Sequence, residues 1–307
     1  MQFTEVLNQA MVLFILLIVG FIIKKLKILT DEFNKGLSNL LINVTLPALI
    51  ITSMNYKFSK EMFDNSILIL IIGIITYIYM IIISKIFTKA FHTEEPQRGV
   101  YKFLVLFSNT GFMGYPILNS IYGEIGIFYG AIFNLLFNIM IWTVGVSFVN
   151  QEDKKISLRS LINPGIVSVI IGFSLFIFSI KLPNLLYTSL KSLGSTTTPL
   201  AMILVGSLLA DAKFSDIFKN YRLFIITAIR LFIIPISLIF VLSLFNLPEI
   251  VIGVIVIVNA MPAAANAAIF SRKFESDYRL ASQGVFLTTL LSIGTIPVIL
   301  LLLTKFI

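Results

Sequence analysis

Two stretches of this chain place amides, hydroxyls, glycine and proline inside otherwise apolar sequence: SNTGFMGYP at residues 108–116 and NAMPAAANA at 259–267. The chemistry open to such residues is recognition of an anion without a formal cation. A helix stopped inside an apolar span leaves up to four N–H groups unpaired and a partial positive charge where its second half begins, and both favour a negative group. Asn109, Thr110, Gly111, Tyr115 and Pro116 would build one side of that site, and Asn259, Pro262 and Asn266 the other. Asn259 and Asn266 are seven apart and share a helical face if the break is mild. Side-chain amides suit the task because they donate to carboxylate oxygens at low desolvation cost. A plainer reading stands beside this one, in which Pro and Gly only kink and pack the helices and Asn caps the freed carbonyls.

Other polar positions add to the pattern. Asn43 and Thr45 match a glycosylation sequon but lie inside an apolar run, and with Pro47 they are candidates for lining the same pocket. Asn134 and Asn138 lie four apart, and Thr288, Ser292 and Thr295 form a polar stripe suited to hydrogen bonds between helices. Arg230 is the one formally charged side chain well inside a span. Near a bilayer centre it costs about 2.5 to 3.5 kcal/mol, so it should face the interior, snorkel, or bond to broken-helix carbonyls, in a gating or charge-setting role.

What is missing narrows the class. No Asp or Glu falls mid-span, so a carboxylate proton relay has no support. There is no Cys, and the single His92 sits beside Glu94 and Glu95 in a polar connection, where solvent exposure is expected. No Ser/His/Asp set, metal cluster or phosphate-binding loop occurs. The expectation is no enzyme, no metal and no cofactor. Without an ATP motif the driving force would be a gradient, and export of a monoanion from a negative interior gains about 2.3 kcal/mol per 100 mV.

The elements that must position these residues follow from hydropathy. With 307 residues, 58% hydrophobic content, 12% charge and 28 Phe, the chain carries more apolar surface than one soluble core could bury. A hydrocarbon layer of about 30 Å needs roughly 20 helical residues. Ten such spans fit: 6–23, 36–54, 65–87, 100–121, 126–149, 163–181, 187–209, 222–245, 250–270 and 281–304. The N-terminal MQFTEVLNQA lacks a basic region and a cleavage signal, so the first run reads as a retained span. Of the 23 Lys and Arg, 17 fall in the connections after spans 1, 3, 5, 7 and 9 and five on the other face, Arg230 being the remaining one. That alternation predicts the first set in the cytoplasm and both termini outside. The net charge of +8 is thereby explained without nucleic acid.

Ten spans divide into two fives of opposite sense, the geometry of an inverted repeat. The expected boundaries are 1–149 for the first repeat, 150–162 for a short cytoplasmic linker, and 163–307 for the second. Pattern similarity supports the division: NVTLPALI with Pro47 in span 2 answers TTTPLAMI with Pro199 in span 7, and the broken spans 4 and 9 hold matching places.

The motifs NVTLPALI (43–50), NTGFMGYPI (109–117), NPG (163–165), MPAAANAAIFSRKFESD (261–277) and FLTTLLSIGTIP (286–297) together resemble the auxin efflux carrier family, in particular its bacterial organic-acid and malate permease-like members. The resemblance runs over essentially the whole chain. It implies an all-α polytopic membrane protein of ten transmembrane helices, with a scaffold from spans 1, 2, 6 and 7 and a transport unit from spans 3–5 and 8–10. Spans 4 and 9 would cross at their broken centres and hold a substrate carboxylate while one unit moves against the other. The long cytoplasmic insertion of many plant members is absent, which argues against auxin itself.

The function expected is a secondary carrier of small organic anions in the cell membrane. Its expected partners are that anion and the lipid bilayer, with a homodimer left open and no nucleic acid. Two rivals remain: a sodium- or proton-coupled symporter of bile-acid-transporter-like architecture, and a non-transporting membrane sensor.

Overall fold

The computed structural model describes residues 3–150, 163–210 and 220–306. The expected linker 150–162 therefore lies, apart from Asn150, outside the described residues, as do Lys154, Lys155, Arg159, Lys213 and Lys219. Among the described residues the regular structure is helical, in the order α1 (Phe3–Lys25), α2 (Asp31–Leu40), α3 (Leu46–Ser53), α4 (Lys60–Ala90), α5 (Gln97–Leu106), α6 (Tyr115–Tyr122), α7 (Glu124–Met140) and α8 (Val146–Val149). There follow α9 (Pro164–Ile177), α10 (Asn184–Ser195), α11 (Thr197–Ala210), α12 (Tyr221–Ala228), α13 (Ile234–Leu242), α14 (Glu249–Ala260), α15 (Asn266–Lys273) and α16 (Tyr278–Phe306).

Among the described residues six stretches are long and apolar enough to cross a membrane: Asp31–Ser53, Lys60–Ala90, Glu124–Val149, Asn184–Ala210, Tyr221–Leu242 and Tyr278–Phe306. They coincide with the expected spans 2, 3, 5, 7, 8 and 10. The expected spans 6 and 9 correspond to shorter apolar helices, Pro164–Ile177 and Glu249–Ala260. On α4, Ile67, Ile71, Ile74, Ile78, Ile82 and Ile86 are all exposed and recur at helical spacing. From Ile67 to Ile86 that stripe rises about 29 Å, the depth of a hydrocarbon layer. An exposed apolar face of that length is a lipid-facing one.

Proline shapes several helices in one way. Pro47, Pro116 and Pro235 stand in the first turn of α3, α6 and α13, and each is preceded by a wide π-helical turn: Leu41–Thr45, Thr110–Gly114 and Ile229–Ile233. In a continuous α-helix each ring would strike the carbonyl four residues earlier, that of Asn43, Phe112 or Leu231. All three of those residues lie inside the π turn, whose extra residue moves the carbonyl aside. A fourth wide turn, Ile141–Gly145, ends at a glycine whose missing side chain admits the rings of Phe103 and Phe107.

The chain forms two compact units. The first comprises Met1–Leu70, Gly111–Leu135 and Ile162–Asp211. In it α1 packs along α11, with Gly20 against the backbone of Ile203 and Gly206 against that of Leu17. As one position rises the other falls, so the two helices run antiparallel, and small residues let their backbones close up where hydrophobic force between helices is absent. Leu37, Leu41, Ala201 and Leu204 form a buried cluster beside them, and Asn34 and Ser207 exchange hydrogen bonds of 2.8 and 3.1 Å.

The second unit comprises Ile71–Thr110, Leu136–Leu161 and Ala212–Ile307. Its centre is α14, buried at every position from Val251 to Ala260 and packed by α13 and α16. A helix apolar all round is an interior helix. Its 12 residues rise only about 18 Å, so it stops partway through a hydrocarbon layer.

A Cβ at position 206 would collide with the Leu17 carbonyl oxygen, whereas one at position 36 meets nothing within 4 Å. Gly206→Ala should therefore lower stability by about 1–3 kcal/mol, seen as an earlier melting transition in detergent. Gly36→Ala should melt at or above the wild-type temperature.

Candidate functional site

The breaks at 107–109 and 261–265 both fall in the second unit. α14 ends at Ala260 because Pro262 follows: the residue before a proline avoids helical angles, and Met261 adopts an extended φ of −67° and ψ of 150°. Helix resumes only at Asn266. α5 ends at Leu106, with Phe107 extended at φ −105° and ψ 110°, and no proline stands at that point. What holds this break is the other one.

Ser108 and Ala263 face each other as an isolated antiparallel bridge. The Asn109 N–H donates to the Pro262 carbonyl at 2.7 Å, and the Ala264 N–H donates to the Phe107 carbonyl at 2.8 Å. The Ala263 N–H points the other way and donates to the Thr288 hydroxyl on α16 at 3.1 Å. Thr288 in turn donates to the Gly284 carbonyl at 2.8 Å. Two short extended segments thus replace lost helical bonds with bonds to each other and to one neighbouring helix.

Arg230 completes the set. It occupies the π turn between α12 and α13 and is wholly buried. Its Nε donates to the Met261 carbonyl at 3.1 Å and its Nη1 to the Val105 carbonyl at 2.8 Å, so one guanidinium spans both breaks. Met80 Sδ lies 3.5 Å from Nη1. Among the described residues Arg230 has no carboxylate partner, and its Nη2 has no hydrogen-bond acceptor. Asn259, 1% exposed, donates from Nδ2 back to the Ile255 carbonyl at 2.8 Å, which leaves its Oδ1 without a donor. The chemical content is a buried positive charge with one unused donor edge, beside backbone that is not helical.

The residues singled out in sequence divide between the units. Asn109, Thr110, Asn259, Pro262, Asn266 and Arg230 belong to the second, where Asn109, Pro262 and Arg230 are joined through the bonds above. Asn266, half-buried, opens α15; with five non-helical residues before it, the condition for sharing a helical face with Asn259 is not met. Gly111, Tyr115, Pro116, Asn43 and Pro47 belong to the first unit. Tyr115 is buried with its hydroxyl beside Asn134, and Gly111 borders open space. Asn43 is exposed and spends its amide on the Asn39 carbonyl at 2.8 Å, and Pro47 is half-buried. His92 is exposed. No group of three or more His, Cys, Asp or Glu suited to a metal occurs among the described residues. Sequence reading had not marked Val105, and had included Ser108 and Met261 only as members of the interrupted stretches; all three act through backbone atoms and carry no side-chain signal. Thr288 was legible as part of a buried polar stripe, but not its partner.

A family model described as membrane transport protein matches residues 5–158 and 152–300. An uncharacterized transporter of Methanocaldococcus jannaschii is 27% identical over 94% of this chain and 95% of its own length. One from Methanothermobacter thermautotrophicus is 24% identical over 92% and 93%, and the uncharacterized transporter YfdV of Escherichia coli is 19% identical over 96% of each.

Arg230→Met should strand the Val105 and Met261 carbonyls and lower stability by about 3 kcal/mol or more, the sum of two charge-assisted hydrogen bonds. Thr288→Val, near-isosteric, should cost about 1–3 kcal/mol by orphaning the Ala263 N–H. Thermal unfolding in detergent measures both, with the exposed Ser282→Ala as a neutral reference.

Proposed function

The chain belongs to the membrane transport protein family, the auxin efflux carriers its motifs resemble, and from that premise we propose that it is a secondary transporter of small organic anions working by alternating access. Family and relatives are transporters and not enzymes, and the chain is a multi-pass membrane protein. The proposal goes further in three respects: the substrate carries a carboxylate, it is held where spans 4 and 9 cross at their breaks, and ten spans form two inverted fives.

The observation that carries this reading is the unpaired Nη2 of a wholly buried Arg230, set against two segments of extended backbone. A guanidinium is a cation at neutral pH, and in low dielectric an uncompensated charge favours an anion over a cation or a neutral ligand. A carboxylate presents two oxygens, one for Nη2 and one for the amide of Asn109. Asn259, beside Met261, sets the depth at which the anion stops. For span 9, α14 supplies the incoming half-helix and α15 the outgoing one; for span 4, α5 and α6 do so. Both termini lie outside the cytoplasm in this scheme, and the membrane is the plasma membrane.

The test is counterflow in proteoliposomes. Loaded with an unlabelled carboxylate found by thermal-shift screening, wild-type vesicles should accumulate the labelled acid and not a labelled amine. Asn259→Ala and Asn109→Ala should each reduce flux at least about tenfold, the loss expected for about 1.4 kcal/mol of binding, while eluting as folded protein. Wild-type flux in both variants would refute the assignment of the site. Uptake that requires sodium would favour the symporter instead.

A further inference from the structure

Outside the interrupted stretches the second unit has a basic cavity of about 470 Å³ at the corner between α4 and α5. Lys85 and Lys89 enter it from the end of α4, Arg98 and Lys102 from the start of α5, with Thr88 and Thr93 beneath them. Among the described residues no acidic one lines it; the half-exposed Glu95 carboxylate lies 3.8 Å from the Arg98 guanidinium. Burial, then Arg98 and Lys85, disfavour the charge on Lys102, and Glu95 offsets part of this. Four cations drawn together in this way repel one another, and a small anion of more than one charge would offset that repulsion.

The cavity is held open by its own bonds. Arg98 donates from Nε to the Thr93 carbonyl at 2.9 Å, which fixes the plane of the guanidinium; Nη1 faces Glu95 at 3.8 Å and Nη2 is left for a ligand. Thr93, 1% exposed, donates to the Thr88 carbonyl at 3.2 Å, and Thr88 donates to the Ser84 carbonyl at 2.9 Å. Ser276 anchors the connection through the Pro96 carbonyl at 3.3 Å. His92, on the rim, stands at a φ of 45°, in the left-handed region.

Depth identifies the kind of anion. The lipid-facing isoleucine stripe of α4 ends at Ile86, so Lys85 and Lys89 stand at the boundary where headgroups begin. We propose that this cavity is a binding site for a phosphate group, its oxygens shared between Arg98 Nη2 and the ammonium groups of Lys85, Lys89 and Lys102. The same chemistry is offered by an anionic lipid headgroup and by free phosphate in solution. The site is separate from the one proposed for substrate and stands without it.

The experiment uses the full chain in phosphatidylcholine nanodiscs and follows its melting temperature in two arms. One replaces part of the lipid with phosphatidylglycerol; the other adds inorganic phosphate at constant ionic strength. At least one arm should raise the midpoint saturably by about 4 °C or more, the responding arm naming the source. Lys89→Gln and Arg98→Gln should each lose at least about half of that rise, and Lys181→Gln, from the opposite set of connections, should keep it. A rise in neither arm, or an equal rise in all variants, overturns the proposal. Should the cavity variants fail to fold, native mass spectrometry of the wild-type protein decides, a retained phosphate-bearing adduct supporting the site and a bare protein overturning it.

Discussion

Apolar surroundings leave no water to satisfy a stray N–H or C=O, and the accounting of those groups at the two interruptions governs the second unit. Backbone without helix is admissible within a span only where every freed group finds a protein partner. Here the partners can be named. Phe107 and Asn109 bond to residues of the other break, Ala263 bonds to Thr288, and Val105 and Met261 bond to Arg230. Remove any of these and a buried polar group is orphaned at a cost of about 1–3 kcal/mol. The interior helix α14, too short to cross on its own, fits this arrangement because it is meant to stop at Ala260.

Arg230 gives that accounting an electrical sign. Most buried cations are neutralised by a carboxylate, which would leave nothing for a ligand. This one is solvated by two carbonyls, each of which contributes a partial charge only, so the net charge survives along with one unused N–H edge. The same guanidinium touches both breaks, and a movement of either segment must therefore alter the bonds of the other. That shared tie is the physical ground for coupling binding to conformational change in the transport scheme, since a ligand shifts an equilibrium only by what it gains in one state over the other.

Much of this was legible in the sequence. The apolar runs announced an all-helical membrane protein, and Pro262 inside NAMPAAANA announced where α14 stops, because proline acts locally through its ring and its missing N–H. Arg230 stood out as the lone mid-span charge, and carbonyls of broken helices were among its expected partners. The rest depended on distant backbone. Nothing in the letters at 105, 107 or 261 says that their carbonyls will be claimed by Arg230 and Ala264, residues on other elements of the chain. The expectation that Asn259 and Asn266 share a face rested on a mild interruption, and the five residues between α14 and α15 remove it. Asn43 was read from its place with Thr45 and Pro47 inside an apolar run, and its amide is occupied locally by the Asn39 carbonyl on an exposed face. The basic cavity was visible only as a tally of positive residues; the alternation of charge explains why lysines lie there, but not that Thr93 and Arg98 shape them into a concave site.

The central claim is that Arg230 and the paired breaks together hold a carboxylate. The most direct measurement is a crystal structure of the protein grown with a transported carboxylic acid carrying bromine, read at the bromine absorption edge. The account predicts one dominant anomalous peak within a few ångströms of Arg230 Nη2 and Asn259, flanked by the extended segments 107–109 and 261–264. A transported acid whose bromine lies elsewhere, with those segments wound into continuous helix, would contradict it.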